Sequence, residues 1–115
     1  MPSLKLASRA YATASVNKTT RQQEADIFRL VIARLQAARQ SGAIARVRAL
    51  ADNRRLWTTV SDLLRDARNT LPPETRAGLV SIGLSVQREM DSDEPNFDFL
   101  ITINKNIADG LSDSP

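Results

Sequence analysis

The side chains that carry most protein chemistry are missing from this chain, which has neither Cys nor His. Disulfides, thiolate metal sites and cysteine nucleophiles are therefore excluded. So are the commonest metal ligand and the commonest general base near neutral pH. A serine nucleophile would need a lysine base, and the lysines are only Lys5, Lys18 and Lys105. Asp62 and Asp66 stand at i, i+4, a spacing that could bridge a divalent ion, but two carboxylates without further oxygen ligands make a poor site. Pairing with Arg65, Arg68 or an adjacent helix accounts for them better. Asp91, Asp93 and Glu94 lack the glycine and the distal glutamate of a calcium loop. Gly78 and Gly83 fall inside a helical pattern, not between a strand and a helix, so they form no phosphate loop and are expected to let another helix approach closely. The expectation is no enzyme, no cofactor and no metal.

Binding chemistry is better represented. Trp57 is the single tryptophan. As a large ring it suits a core anchor, the preferred reading because Trp is strongly buried on average; as a Trp beside arginines it also suits a binding hot spot. Arg54 lies nearly one turn earlier and could flank it, with Arg55 further round the helix. Arg54, Arg55 and Trp57 are the candidate partner contacts. Asn104 sits among apolar neighbours, as a buried amide that satisfies a loop or a helix end would. The net charge of +3 hides an asymmetry. Up to Val60 the only acids are Glu24, Asp26 and Asp52 among many arginines; from Glu89 onward Lys105 is the lone base. Either the two halves of the surface attract each other weakly, or the arginines form a basic face for an acidic partner, protein or RNA.

The elements that must position these residues read as helices. Thr20 is placed to cap the first, with Gln23 three residues on as in a capping box. Ile27, Leu30, Val31, Leu35 and Ala38 then recur at helical spacing, and Ser41-Gly42 supplies a left-handed stop and a tight reversal. A second helix runs from about Ala43 to Ala67 on a stripe of Ile44, Val47, Leu50, Ala51, Val60, Leu63 and Leu64, with Trp57 on or beside it. Its length of roughly 38 Å invites a kink near Ala51-Asp52-Asn53. Asn69-Thr70 ends it. Pro72 or Pro73 opens a third helix, with Glu74 in its first turn and Leu79, Ile82, Gly83, Val86 and Met90 on one face, widened by Val80 and Leu84. An acidic loop, Asp91 to Asn96, leads to a final helix from Phe97 to Asp109, capped by Gly110. No segment sustains strand alternation.

The length suits one small domain spanning residues 1–115, with residues 1–9 and 112–115 loosely ordered. A core of Leu, Ile, Val and Ala with few rings favours packed helices. The fold class expected is therefore all-α: a small single-domain bundle of four main helices, with room for a short extra one around Ala10-Tyr11. Lys5 and Arg9 break up the N-terminal apolar run, which argues against a secretory signal. No stretch approaches the roughly 20 apolar residues of a membrane span, and the expected location is the cytoplasm.

The run Asn53-Arg54-Arg55-Leu56-Trp57, then Asp62-Leu63, Leu71-Pro72, Arg76-Ala77 and Ser81-Ile82 resembles the heart of the FlaF family of flagellar biosynthesis regulators. Ala10-Tyr11, Arg21 and Glu24-Ala25 are similar to that family's opening positions, and Leu100, Ile101, Ile103, Asn104, Ile107 and Gly110-Leu111 to its C-terminal signature. On this resemblance Tyr11, Asn53, Asp62, Leu71, Pro72 and Asn104 are structural motif positions. Ser85 departs from the pattern, since similar members commonly carry Trp there. The resemblance implies a cytoplasmic helper of flagellin synthesis and export that engages flagellin and opposes the translational repressor FlbT. An RNA-binding regulator acting on flagellin mRNA through the Arg-rich half is the alternative, although the chain has no RRM or KH pattern and few aromatics to stack on bases. Stoichiometry and oligomeric state are left open.

Overall fold

The computed structural model describes residues 20–112. Tyr11, the short helix expected around it and residues 1–9 and 113–115 lie outside the described residues; Thr20, expected as the cap of the first helix, is a helical residue, and Ser112, expected to be loose, is the last described residue of the final helix. Among those described there are four α-helices and no strand: α1 (Thr20–Ala38), α2 (Ala43–Arg65), α3 (Pro73–Met90) and α4 (Phe97–Ser112). The all-α expectation holds. Backbones approach in the order α4, α1, α2, α3, with α1 and α4 forming the most intimate pair. Phe28, Ile32 and Leu35 of α1 meet Leu56 and Trp57 of α2, Val86 and Met90 of α3, and Phe97, Leu100 and Ile101 of α4 in one apolar cluster.

Several helix ends differ from the sequence reading, each for a local reason. Gly42 is not a left-handed stop. Its φ of −69° and ψ of 174° are extended, and it is the residue before α2. α1 closes instead through the Ser41 hydroxyl, which donates to the Ala37 carbonyl at 2.8 Å. α2 runs unbroken through Ala51–Asn53, about 34 Å of helix. It stops at Arg65, where Asp66 turns extended and the Leu63 carbonyl accepts both the Asp66 N–H at 3.3 Å and the Asn69 side-chain amide at 2.9 Å. Gly110 does not end α4, which continues to Ser112. Pro72 precedes α3 and Pro73 opens it, where a missing N–H costs nothing. Asn96 caps α4, its side-chain oxygen accepting from the Phe99 N–H at 3.1 Å.

The buried faces of α1 and α2 also differ. Ile27 and Leu30 are exposed, and Ala25, Phe28 and Ile32 are buried in their place. The larger Phe28 ring wins the interior by packing edge-on against Trp57, with centroids 6.0 Å apart at 86°. On α2, Ile44, Val47 and Leu63 face outward, while Ala49, Asn53, Leu56, Trp57 and Leu64 face inward. α3 presents Val86 and Met90 to the core as its pattern predicts, with Val80 and Leu84 exposed. The charge asymmetry folds back on itself in two places: Arg54 pairs with Asp91 at 2.9 Å and Arg39 with Asp98. Arg46 lies over the Phe97 ring, 4.6 Å from its centroid. Among the described residues no helix is long and apolar enough to cross a membrane.

Candidate functional site

The polar centre of the protein is a chain of three side chains drawn from two helices. Asn53 and Asn104 are fully buried and Trp57 is 3% exposed. The Trp57 indole N–H donates to the Asn104 side-chain oxygen at 2.9 Å. The Asn104 amide nitrogen donates to the Asn53 oxygen at 2.7 Å, and the Asn53 amide nitrogen reaches the Met90 sulfur at 3.2 Å. Chemistry fixes the direction of this relay. An indole N–H can only donate, so Asn104 must turn its oxygen to Trp57 and its nitrogen to Asn53, which must then offer its oxygen. The far end falls on a thioether, a weak acceptor, so the relay closes on α3 with its weakest link. Asn104 thus satisfies a side-chain amide and an indole, not the loop or helix end that its sequence context suggests. The pairing is invisible to periodicity because Asn53 and Asn104 stand 51 residues apart.

Beside this relay, between α2 and α3, runs an open groove of about 130 Å³. Arg54, Trp57, Thr58 and Ser61 line it from α2, and Gly83 and Gln87 from α3. Asp62 and Arg65 stand at its lower end and Met90 at its upper end. A Cβ placed on Gly83 would sit 3.6 Å from the Trp57 ring and 3.9 Å from the Ser61 hydroxyl, which is ordinary contact. Neither glycine of α3 is needed for close helix approach: Gly78 has nothing within 4 Å.

The structure brings some sequence candidates together and separates others. Arg54 and Trp57 share the groove wall, Trp57 contributing part of its ring while its indole N–H points into the relay. Arg55 is exposed and has no ion-pair partner among the described residues. Asp62 is exposed at the groove. Leu71 is half-buried, its N–H held by the Asn69 side-chain oxygen at 2.9 Å, and Pro72 sets the start of α3. Asp66 does not face Asp62 as a metal partner; the Arg68 guanidinium binds both its oxygens, at 3.1 and 2.8 Å, and the Arg68 N–H adds a third bond. The Arg68 side chain first, and its backbone N–H second, hold the Asp66 carboxyl below its ordinary range, and Asp66 raises Arg68 in return. Ser85 is half-buried, and its hydroxyl donates to the Ser81 carbonyl at 3.2 Å. Gly83 as part of a groove wall was missed; its only signal was a glycine amid a good helical pattern.

The described residues thus define an all-helical protein with a polar relay at its centre and an open groove on one side. Comparison with known families gives the particular one: the model described as flagellar protein FlaF matches residues 7–111, and the chain belongs to the FlaF family. No match was found among curated proteins or among solved structures.

Proposed function

We propose that this protein is a cytoplasmic regulator of flagellin synthesis and export, that it binds flagellin as a chaperone, and that it opposes the translational repressor FlbT. The observation that carries the reading is the α2–α3 groove, with Trp57 in its wall and Arg54 at its rim, in a chain of the FlaF family. The groove's lining is mixed, with Trp57, Gly83 and Met90 offering apolar contact among Arg54, Thr58, Ser61, Asp62, Arg65 and Gln87, and a groove between helices can seat one face of an amphipathic helix, the kind of segment a flagellin subunit must keep from polymerising before export. Arg54 is exposed and its pair with Asp91 is open to solvent, so a partner carboxylate can compete for it. The alternative, RNA binding, draws on the exposed Arg48, Arg55 and Arg65, which have no ion-pair partner among the described residues.

The deciding experiment titrates the purified protein with monomeric flagellin and with flagellin leader RNA across a salt series. Flagellin binding of modest salt dependence is expected. Tight, salt-steep RNA binding without flagellin binding would overturn the chaperone reading, because each lost phosphate contact changes the slope of log K by about 0.7–0.9.

A further inference from the structure

Both ends of the polar relay come to the groove. Trp57 lines it from α2 and Met90 from α3, while Asn53 and Asn104 stand behind them, fully buried and outside the lining. The bonds run from Trp57 to Asn104 at 2.9 Å, from Asn104 to Asn53 at 2.7 Å and from Asn53 to Met90 at 3.2 Å. One wall of the groove is thereby joined to the other through the core. α4 supplies the Asn104 link and no residue of the lining.

An indole has two unlike edges. The N–H lies on one, and Cε3 and Cζ3 lie on the other. A Cβ on Gly83 would meet Cε3 of Trp57 at 3.6 Å and Cζ3 at 3.8 Å, so the edge turned to α3 is the apolar one. The N–H edge faces Asn104. A half-turn about the Cβ–Cγ bond would exchange the two edges, and the roughly two-fold preference of this torsion in aromatic side chains permits both orientations. The bond to Asn104 decides between them, because a buried donor left without an acceptor is costly. Asn104 can accept only while its amide keeps the oxygen toward the ring. Asn53 holds it so by accepting from the Asn104 nitrogen, since the reversed amide would set a donor against the indole N–H, which can only donate.

We infer that Asn104 and Asn53 are positioning residues for the groove: acting through Trp57, they select the apolar edge of the indole, and not its N–H, as the surface a partner meets. With Asn104 removed, the ring turns its N–H toward the groove, where water satisfies it. This rests on the flagellin reading above and adds to it. The affinity of the groove for flagellin is set in part by two buried side chains that stand behind its wall.

The test compares the full chain with Asn104→Leu, Asn53→Leu and Leu35→Ala, each checked for helix content and Tm by circular dichroism. Leu35 is fully buried and belongs neither to the relay nor to the lining. Flagellin affinity is read by calorimetry. The orientation of the ring is read by NMR from the indole N–H resonance of the single Trp. In Asn104→Leu that resonance should move toward the position of a water-bonded indole. Flagellin affinity should fall by about two- to thirtyfold, the range for residues that modulate a site without touching its ligand. Asn53→Leu should change both in the same direction by less, because the Trp57–Asn104 bond stays. Leu35→Ala should lower Tm and leave affinity and resonance near their wild-type values. Wild-type affinity in both folded asparagine variants overturns the positioning role and leaves the flagellin reading standing. An equal affinity loss in Leu35→Ala also overturns it, since the loss would then follow stability. If the wild type binds no flagellin, that reading falls, and the resonance decides the orientation: unmoved in both asparagine variants, it overturns the inference as well. If Asn104→Leu does not fold, Asn53→Leu decides on the same two measurements.

Discussion

Replacing Asn104 by Leu keeps the side chain's approximate volume and removes the middle of the relay. Two buried groups are then stranded at once, the Trp57 indole N–H and the Asn53 oxygen, which Asn104 now bonds at 2.9 and 2.7 Å. Each stranded buried group costs about 1–3 kcal/mol, so after the gain from an added apolar side chain the net loss should be about 2–4 kcal/mol. Asn53→Leu strands only the Asn104 amide nitrogen, because the Met90 sulfur at the other end is a weak acceptor; its cost should be about 1–3 kcal/mol. The double variant leaves only the indole N–H without a partner. Its cost should therefore fall short of the sum of the singles by the cost of two stranded groups, about 2–6 kcal/mol. Urea unfolding of the four proteins, followed by far-UV circular dichroism, reads the cycle directly. Single effects that add to the double within about 0.5 kcal/mol, as independent sites do, would refute the relay as a connected unit.

Trp57→Ala should cost about 3–5 kcal/mol, out of a total of about 5–15 kcal/mol for a domain of this kind; a thermal melt like that of the wild type would show that the ring contributes nothing to the core. Charge reversal at exposed Arg54 and Arg55 together should slow flagellin association more than it speeds dissociation, because rim charges act mainly on encounter. Stopped-flow kinetics across a salt series checks this, and a change confined to dissociation would count against it. Asp66 has a folded pKa below its unfolded value, so its contribution is fully present above the ordinary carboxylate range and is lost as pH falls through the depressed value. An NMR titration of the Asp66 carboxyl should show that midpoint moving back up in Arg68→Ala; an unmoved midpoint would exclude Arg68 as the cause.

The helices were legible because apolar spacing and punctuation agree in most places: Pro72-Pro73 opens α3 as its chemistry requires, and the acidic loop separates α3 from α4 where expected. The faces were less legible. α1 carries apolar residues at Ile27, Phe28, Leu30, Val31, Ile32 and Leu35, nearly all the way round, so spacing alone could not choose between Leu30 and Phe28. The Phe28–Trp57 contact chose. On α2 a reading built on apolar residues passes over Asn53, whose burial depends on a partner in another helix. Gly42 and Gly110 carried stop signals that neighbouring residues override: Ser41 closes α1, and α4 runs on through Gly110. The groove was legible only in its residues, Arg54 and Trp57; that α3 would lay Gly83 opposite them is a tertiary fact.

Trp57 stands where all four helices can be sensed at once. It is the only indole in the chain, its N–H is held by α4, its ring meets Phe28 of α1, and its edge lies against Gly83 of α3 at the groove. The molecule therefore carries its own optical reporter. The emission of one buried ring follows both the integrity of the core and the filling of the groove, so unfolding and occupancy can be read from the same label-free signal, the first as a shift toward the emission of solvated indole and the second as a change while helix content stays constant.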